Sequence, residues 1–476
     1  MKRLILIFSI LVISYLGLHA QQIWSLEGCI NYALTNNVDI KKHKLSIDYV
    51  EEDVLQNKLD LLPSLNGFAN HGYNWGQTVD RFTNQFATER VRTNNIYASS
   101  NVTLFNGFQK INLLKESELT LEATRYDLDK FMDDVSISIA TAYLQVLYYD
   151  ELLGVAEAQL DISQQQVSRT AKLVEAGTLA RGDLLLLEAQ VATEELNLIN
   201  VQNSIDLSYL TLVQLLDLPS TEGFIIEKPD LSTLDVPQSP ISPEDIYEFA
   251  SVTQPDVKSA ELRLENTGRT LARARGALYP NLYLSASWGT GYSGASQLAT
   301  DYETMTGVPI GYTEVGLEKV VALPYEQPIN YETKAFGDQL NDNSNETVLL
   351  NLQIPIFNGW ISRSNISKAK IGIEDAQYDL DLTKLRLRKT IQQAYADAIA
   401  ALKSHTAVEK KVEATTESFN YAEQKFNVGM INSVEYNEAK KELTKAQAEL
   451  VQAKYDYIFR TTILDFYMGK PLTLTR

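Results

Sequence analysis

Most of the residues and motifs that chemistry requires are scarce in this chain. A single cysteine, Cys29, stands among 476 residues, so no intrachain disulfide can form. The four histidines, His19, His43, His71 and His405, show no metal-binding spacing of the H-E-x-x-H kind. Walker loops, CxxC pairs and G-x-S-x-G elbows are also missing. These gaps argue against an enzyme, and neither a metal nor an organic cofactor is expected. Basic residues are in deficit too: 42 Lys and Arg face 61 Asp and Glu, a formal charge of −19. A nucleic-acid partner is therefore excluded, since it needs clustered cations to displace counterions. After the first twenty residues no run of 18 apolar residues occurs, so no membrane-crossing helix is expected.

The first twenty residues have the pattern of a secretory signal. Lys2 and Arg3 precede the apolar stretch Leu4 to Leu18, and Ala20 offers a cleavage position. Cys29, ten residues beyond that stretch in Leu26-Glu27-Gly28-Cys29, reads as a buried small residue on a helix face rather than a lipid-attachment site.

What the chain has is repetition. TLFNGF (Thr103 to Phe108) returns as IPIFNGW (Ile354 to Trp360), with the two Asn-Gly pairs, Asn106-Gly107 and Asn358-Gly359, 252 positions apart. Gly107 to Gly177 and Gly359 to Gly429 are both 70 positions, and Asp39 to Pro63 and Asp256 to Pro280 are both 24. Each half therefore runs helix, Pro, strand, loop, strand, Asn-Gly, long helix, Gly turn, long helix. Leu184, Val191, Leu198, Ile205 and Leu212 recur every seventh residue, and adding 252 gives Tyr436, Leu443, Leu450, Tyr457 and Leu464. Before the Gly turns, Ile139, Val146, Leu153, Leu160, Val167 and Val174 map onto Ile391, Ala398, His405, Val412, Phe419 and Phe426. A heptad held this long implies coiled-coil packing. Companion positions such as Glu194, Ser208, Ala439, Ala446 and Ala453 fit either the exposed flank of a two-helix coil or helices packed side by side in a curved wall with one face turned to water.

Four segments of about ten residues alternate in polarity, at about 64–75, 96–105, 281–290 and 347–357. That is the length and pattern of outer-membrane barrel strands. Four strands cannot close a barrel, so the chain must oligomerise; two copies would give eight strands and three would give twelve. The link from Gly76 to Asn95 is short, and that from Gly289 to about Asn345 is a long loop with five tyrosines. Between the halves, 218–245 holds five of the thirteen prolines and reads as an irregular connector. The divisions are a signal at 1–20, a first repeat at 21–217 with its helical hairpin at 107–217, the connector, a second repeat at 246–468 with its hairpin at 359–468, and a tail at 469–476.

With its two hinges, its two Gly turns (EAGTLARGDLLLLEAQ and NVGMINSVEYNEAK) and the SLEGCINYAL helix, the chain resembles the TolC family of outer-membrane channel-tunnels. The resemblance implies an α+β membrane protein with two internal repeats. It also implies a homotrimer, whose twelve-stranded barrel, four strands per chain, sits in outer-membrane lipid and continues into a periplasmic coiled-coil barrel of helices. The connector would fall at the equatorial belt. Such a protein would be the passive exit duct of a tripartite efflux pump or type I secretion system in a Gram-negative bacterium, coupled through a periplasmic adaptor to an inner-membrane pump. Asp183 and Glu435, at equivalent places after the Gly turns, would line the periplasmic constriction. Ala176, Gly177, Thr178, Val428, Gly429 and Met430 would meet the adaptor. Asn106, Gly107, Asn358, Gly359, Pro63 and Pro280 would form the hinge from barrel to tunnel. The rival reading is a periplasmic coiled-coil adaptor or structural protein.

Overall fold

The computed structural model describes residues 23–87, 90–229 and 242–474. The expected signal at 1–20 lies outside these, as do 230–241 of the connector and the last two residues. In chain order the elements are β1 (Ile23–Trp24), α1 (Leu26–Asn36), α2 (Val38–Leu59), β2 (Ser64–Asn74), β3 (Thr78–Val79), β4 (Phe86–Ala87), β5 (Val91–Phe105), α3 (Gln109–Glu175), α4 (Arg181–Leu215) and β6 (Ile225–Ile226). There follow α5 (Pro243–Thr253), α6 (Pro255–Gly276), β7 (Asn281–Ser293), β8 (Gln297–Met305), β9 (Pro309–Tyr312), β10 (Lys319–Val321), β11 (Tyr325–Thr333), α7 (Phe336–Asp342), β12 (Asn345–Gln353), α8 (Ile361–Asn427) and α9 (Ser433–Tyr467). They divide between two units, one of Glu52–Glu118 with Asn266–Gly372, the other of the remaining residues.

The second of these units is a helical assembly. Its main core gathers Leu26, Cys29 and Ala33 of α1, Ile139, Tyr143 and Val146 of α3, Leu212 and Val213 of α4, and Val451, Tyr455 and Ile458 of α9. Burial pushes the Cys29 thiol up to about 12, so it behaves as a small hydrophobe. The described part of the connector, 218–229 and 242–245, is less irregular than the prolines suggest. Its β6 pairs in parallel with β1, and the Tyr143 hydroxyl donates to the Glu227 carbonyl at 2.6 Å and lies 3.1 Å from that of Trp24. A short strand with a buried tyrosine behind it satisfies the backbone polar groups that a buried irregular segment would leave unpaired.

The heptad positions are only part of the buried surface. Ile139, Val146, Ile205, Leu212, Ile391, Tyr436 and Leu443 are buried, whereas Leu184, Val191, Leu198 and His405 are half-buried. Of the companion positions, Ala446, Ala453 and Ser208 are buried and Ala439 and Glu194 half-buried, which agrees with helices packed side by side and not with an exposed flank. Small side chains there let neighbouring helices approach closely.

The other unit contains an antiparallel four-stranded sheet in the order β12-β7-β5-β2. Strand ends differ from the sequence pattern. β5 starts at Val91 rather than 96, and β7 runs to Ser293 rather than 290. β12 spans Asn345–Gln353 and stops short of 357, because Pro355 has no N–H to give a ladder. The long Tyr-rich link is ordered, with β8 paired to β11, β9 paired to β10, and α7. Gln339 on α7 is buried and holds β7 by accepting from the Ser293 N–H (2.9 Å) and donating to its carbonyl (3.0 Å). The short link carries the β3·β4 pair.

Pro63 and Pro280 each sit one residue before a strand, β2 and β7. At the hinges, Gly107 and Gly359 take left-handed φ of 65° and 64°, and Phe108 and Trp360 follow with 62° and 70°. Left-handed aromatic residues are strained, and the same strain written twice marks a built feature. Gly107 also needs its bareness: a Cβ there would come within 2.2 Å of the Gly276 carbonyl oxygen. Gly276 has an ordinary φ, yet its own added Cβ would meet the Gly107 oxygen at 2.5 Å. Gly276→Ala should therefore cost roughly 1–3 kcal/mol through forced backbone movement. A thermal melt of the extracted protein checks this, and an unchanged melting temperature would show that the approach is not tight.

Candidate functional site: the paired hairpin tips

Both Gly turns are Schellman caps. After α3 the Thr178 N–H donates to the Leu173 carbonyl (2.9 Å) and Gly177 N–H to Val174 (3.0 Å). After α8 the Met430 N–H donates to Lys425 (2.8 Å) and Gly429 N–H to Phe426 (3.0 Å). Each glycine has φ of 75°, the left-handed value this motif requires. Ala176, Gly177, Thr178, Val428, Gly429 and Met430 are all exposed, the apolar Val428 and Met430 among them.

The two turns come together in one chain. Ser433, 1% exposed, donates its hydroxyl to Asp183 Oδ1 at 2.6 Å. The two acidic residues that are equivalent in sequence thus differ in place. Asp183 is half-buried and joins the first tip to the second. Glu435 is exposed and accepts from the Asn432 side-chain amide (2.9 Å), while Asn432 Oδ1 accepts from the Val434 and Glu435 N–H groups, both at 3.0 Å. At the equivalent position the two turns differ: Arg181 of the first is exposed where Ser433 of the second is buried. Behind Ser433, Tyr436 packs on Phe426 and Phe419, with ring centroids 4.8 and 5.5 Å away.

Next to the tips lies a polar junction that the heptad pattern does not announce. Lys440 of α9, 2% exposed, donates to the Gln159 carbonyl (3.0 Å) and to the Ser163 hydroxyl. Its ammonium is 3.3 Å from Glu194 of α4, and Glu194 also accepts from Ser163 and from Gln190 (2.9 Å). The Gln159 amide donates to Gln447 at 2.9 Å. Along this part of α3 the buried line is Gln159, Ser163, Gln166 and Thr170, whereas the heptad residues Leu160, Val167 and Val174 are half-buried. The one available signal was a lysine on an otherwise alanine-rich face of α9. Its meaning depended on a glutamate 246 positions earlier.

Burial holds the Lys440 ammonium below its usual 10.5, against the opposing pull of Glu194. Between the lowered value and 10.5 the unfolded chain binds the extra proton, so this group adds stability as pH rises through that window. Elsewhere in the same unit, desolvation lifts Asp133 to about 6, with Asp129, Asp134 and Asp256 adding and Lys130 opposing. The Arg and Lys clusters along α6 and α8 make ion pairs and ring contacts between helices: Arg273 with Glu116 (2.8 Å), Lys384 with Glu261 (3.0 Å), and Arg388 over Tyr247 (4.4 Å). Among the described residues no group of carboxylates, histidines and cysteine is arranged to hold a metal.

An arrangement of paired helical reversals with exposed turns offers docking and closure. Residues 29–217 and 247–470 match the family profile described as outer membrane efflux protein. The chain belongs to that family. It is 22% identical over 436 residues to the outer membrane efflux protein BepC of Brucella suis, covering 91% of this chain and 83% of BepC. It is likewise 22% identical over 441 residues to the outer membrane protein TolC of Escherichia coli, covering 92% and 80%. The fold matches that of the outer membrane protein VceC from Vibrio cholerae, with a TM-score of 0.72 at 15% identity over 94% of this chain and 96% of VceC. Family membership makes this an outer-membrane efflux channel and sets aside the reading as a periplasmic adaptor or scaffold.

Two outcomes follow from the buried charges. Lys440→Met leaves the half-buried Glu194 without its cation and should lower stability by up to about 3–5 kcal/mol, whereas Lys440→Met with Glu194→Leu should recover much of that. Denaturant unfolding of the wild type, the single variant and the double variant measures it; equal losses in both variants would mean the pair is not coupled. For Asp133, the folded chain holds an extra proton between 3.8 and about 6, so its contribution is full below that range and is lost as pH rises through 6. Asp133→Asn should remove this fall, visible as a flatter melting temperature between pH 4 and pH 7 in the ~4–7 range where carboxylates so shifted titrate.

Proposed function

We propose that three copies of this chain form one duct, whose strands close a twelve-stranded barrel in outer-membrane lipid and whose helices continue it into the periplasm. The duct is passive: it binds no cofactor, converts nothing, and carries cargo delivered by an inner-membrane pump through a periplasmic adaptor. The observation that carries the reading is the sheet. Its outer strands β12 and β2 each leave one edge without a partner among the described residues, and Val348, Leu350 and Leu352 of β12 and Leu65 and Phe68 of β2 are exposed. Open edges cannot stand in hydrocarbon, so further copies must cover them. Exposed Phe108 and Trp360 at the two hinges supply the aromatic residues favoured at a membrane–water boundary.

The tips supply the adaptor contact through Ala176, Gly177, Thr178, Val428, Gly429 and Met430. Asp183 and Glu435 supply acid at the constriction, where threefold repetition sets like charges near one another and favours cations over anions. The Asp183–Ser433 bond and the Lys440–Glu194 junction keep the hairpins of one chain together, and opening requires them to separate.

The detergent-corrected mass of protein extracted from outer-membrane fractions should equal three chains, whereas a soluble monomer would remove the barrel. In planar bilayers, Asp183→Asn with Glu435→Gln should lower the cation-to-anion permeability ratio several-fold. Unchanged selectivity in a conducting trimer would place the constriction elsewhere.

A further inference from the structure

The two faces of the four-stranded sheet differ in charge as well as polarity. Register puts Val102, Leu282, Leu284, Leu350 and Leu352 on one face. The other carries Asn66, Asn70, Ser99, Asn101, Asn351 and Gln353. The apolar face suits lipid, which leaves the polar one to the water of the duct. In a chain that is 22% charged, the only charged residues of these four strands are Arg92 and Glu346, and both lie on the apolar face. The polar face has no charge at all. A wall that steers ions carries charge of one sign. Amides and hydroxyls, which both donate and accept, match instead a solute that does the same and is neutral.

On this hydrophilic face stand two exposed rings. Phe68 and Tyr97 are directly opposite in the ladder and stack with centroids 4.7 Å apart and planes at 17°. Phe68 is 47% exposed and Tyr97 40%. The repeat does not call for them, since the equivalent pair in the other hairpin is Ser285 opposite Leu349. Phe68 takes one face of Tyr97. On the other side the next residue across the sheet is Gly289, with Asn345 beyond it, two strand spacings or roughly 10 Å from Tyr97 at the backbone. A Cβ added to Gly289 would lie 3.4 Å from the Tyr97 Cβ and 3.5 Å from Asn345 Oδ1, so ring and amide flank a floor of bare backbone. Ser99, Ser287 and Thr347 follow along the strands in one direction. In the other, the Phe82 ring lies against Gly291, where an added Cβ would meet it at 2.2 Å. Phe82 is held there by the buried Asp80, which accepts from the Phe82 N–H (3.1 Å) and from the Ser293 hydroxyl.

We infer that the polar face of this sheet engages neutral, polyhydroxylated cargo, and that a sugar ring seats on the shelf at Gly289. A sugar ring presents C–H bonds on its flat side and hydroxyls around its rim. The C–H side lies on the electron-rich face of an aromatic ring, here Tyr97. The rim hydroxyls reach Asn345, Ser287 and Thr347, which donate and accept without bearing charge. An apolar platform with a few polar groups to set orientation is the usual build of a small-molecule site. A charged solute would shed hydration here and gain no partner of opposite sign. This rests on the sheet being the wall of the proposed duct, and it adds to that reading the class of solute the wall accepts.

Ion current through the protein in planar bilayers tests this. Maltohexaose, a neutral linear sugar, should block the current of the unsubstituted protein at a roughly tenfold lower concentration than a polyethylene glycol of similar size, which only occupies volume. Tyr97→Ala removes the platform, and Gly289→Val fills the shelf. Each should weaken the sugar block roughly tenfold while leaving the sugar-free conductance and the native mass unchanged. Gln353→Ala, on the same face but away from the shelf, should leave the block as it was. If one variant fails to assemble, the other and the comparison of sugar with polymer still decide. Equal block by sugar and polymer in a conducting protein overturns the cargo class. A sugar block that exceeds the polymer's and survives both substitutions overturns the shelf. A one-chain native mass without conductance removes the duct itself, an outcome distinct from a conducting assembly that ignores sugar.

Discussion

Backbone amides in hydrocarbon have no water to turn to, and in the duct proposed above that constraint governs the rest of the molecule. A four-stranded sheet whose outer strands each leave one edge without a partner among the described residues cannot satisfy it alone, which is why the proposed duct needs further copies. The internal repeat is the economical response. A chain that carries one strand pair and one helical hairpin twice already contains one joint between such halves, the pairing of β5 with β7. The hinges show the same logic at the level of single residues. Two consecutive left-handed positions, glycine then aromatic, turn the chain from extended strand into helix at both places, and the strain at Phe108 and Trp360 is held by the surrounding structure rather than relieved.

In the helical unit the governing interactions are different. Long heptads bring helices together without saying which ones or how closely. Where three helices meet near the tips, small residues and polar side chains occupy the inside, and Lys440 is buried among Gln159, Ser163 and Glu194. A buried ion pair is weak as a source of stability, because desolvation offsets most of its attraction. Its strength lies in geometry: it tolerates one arrangement of helices and penalises others. Such contacts hold only while the helices keep their places. The Asp183–Ser433 bond at the tip has the same character on a smaller scale.

A fold match at 15% identity means that much the same backbone is carried by different side chains. The two halves of this chain show that in miniature. Their strand registers coincide while the paired residues differ, and their Gly turns coincide while Asp183 and Glu435 take different partners. Equivalence of position therefore predicts equivalence of backbone, not equivalence of contact.

Much of the architecture was written in short-range pattern: the repeat, the strand pairs, the long helices, the Gly turns and the hinges all follow from spacing and periodicity. Local rules of backbone conformation fix these, and local rules are what a sequence displays. Other features were decided only by the tertiary structure. The strand in the connector depends on β1 and on Tyr143, the ordered Tyr-rich link depends on Gln339 reaching β7, and the burial of Lys440 depends on Glu194 from a distant helix. Burial, unlike periodicity, is a property of what arrives from elsewhere in the chain, so no window of sequence around Lys440 or Ser433 contains the information that makes them interior.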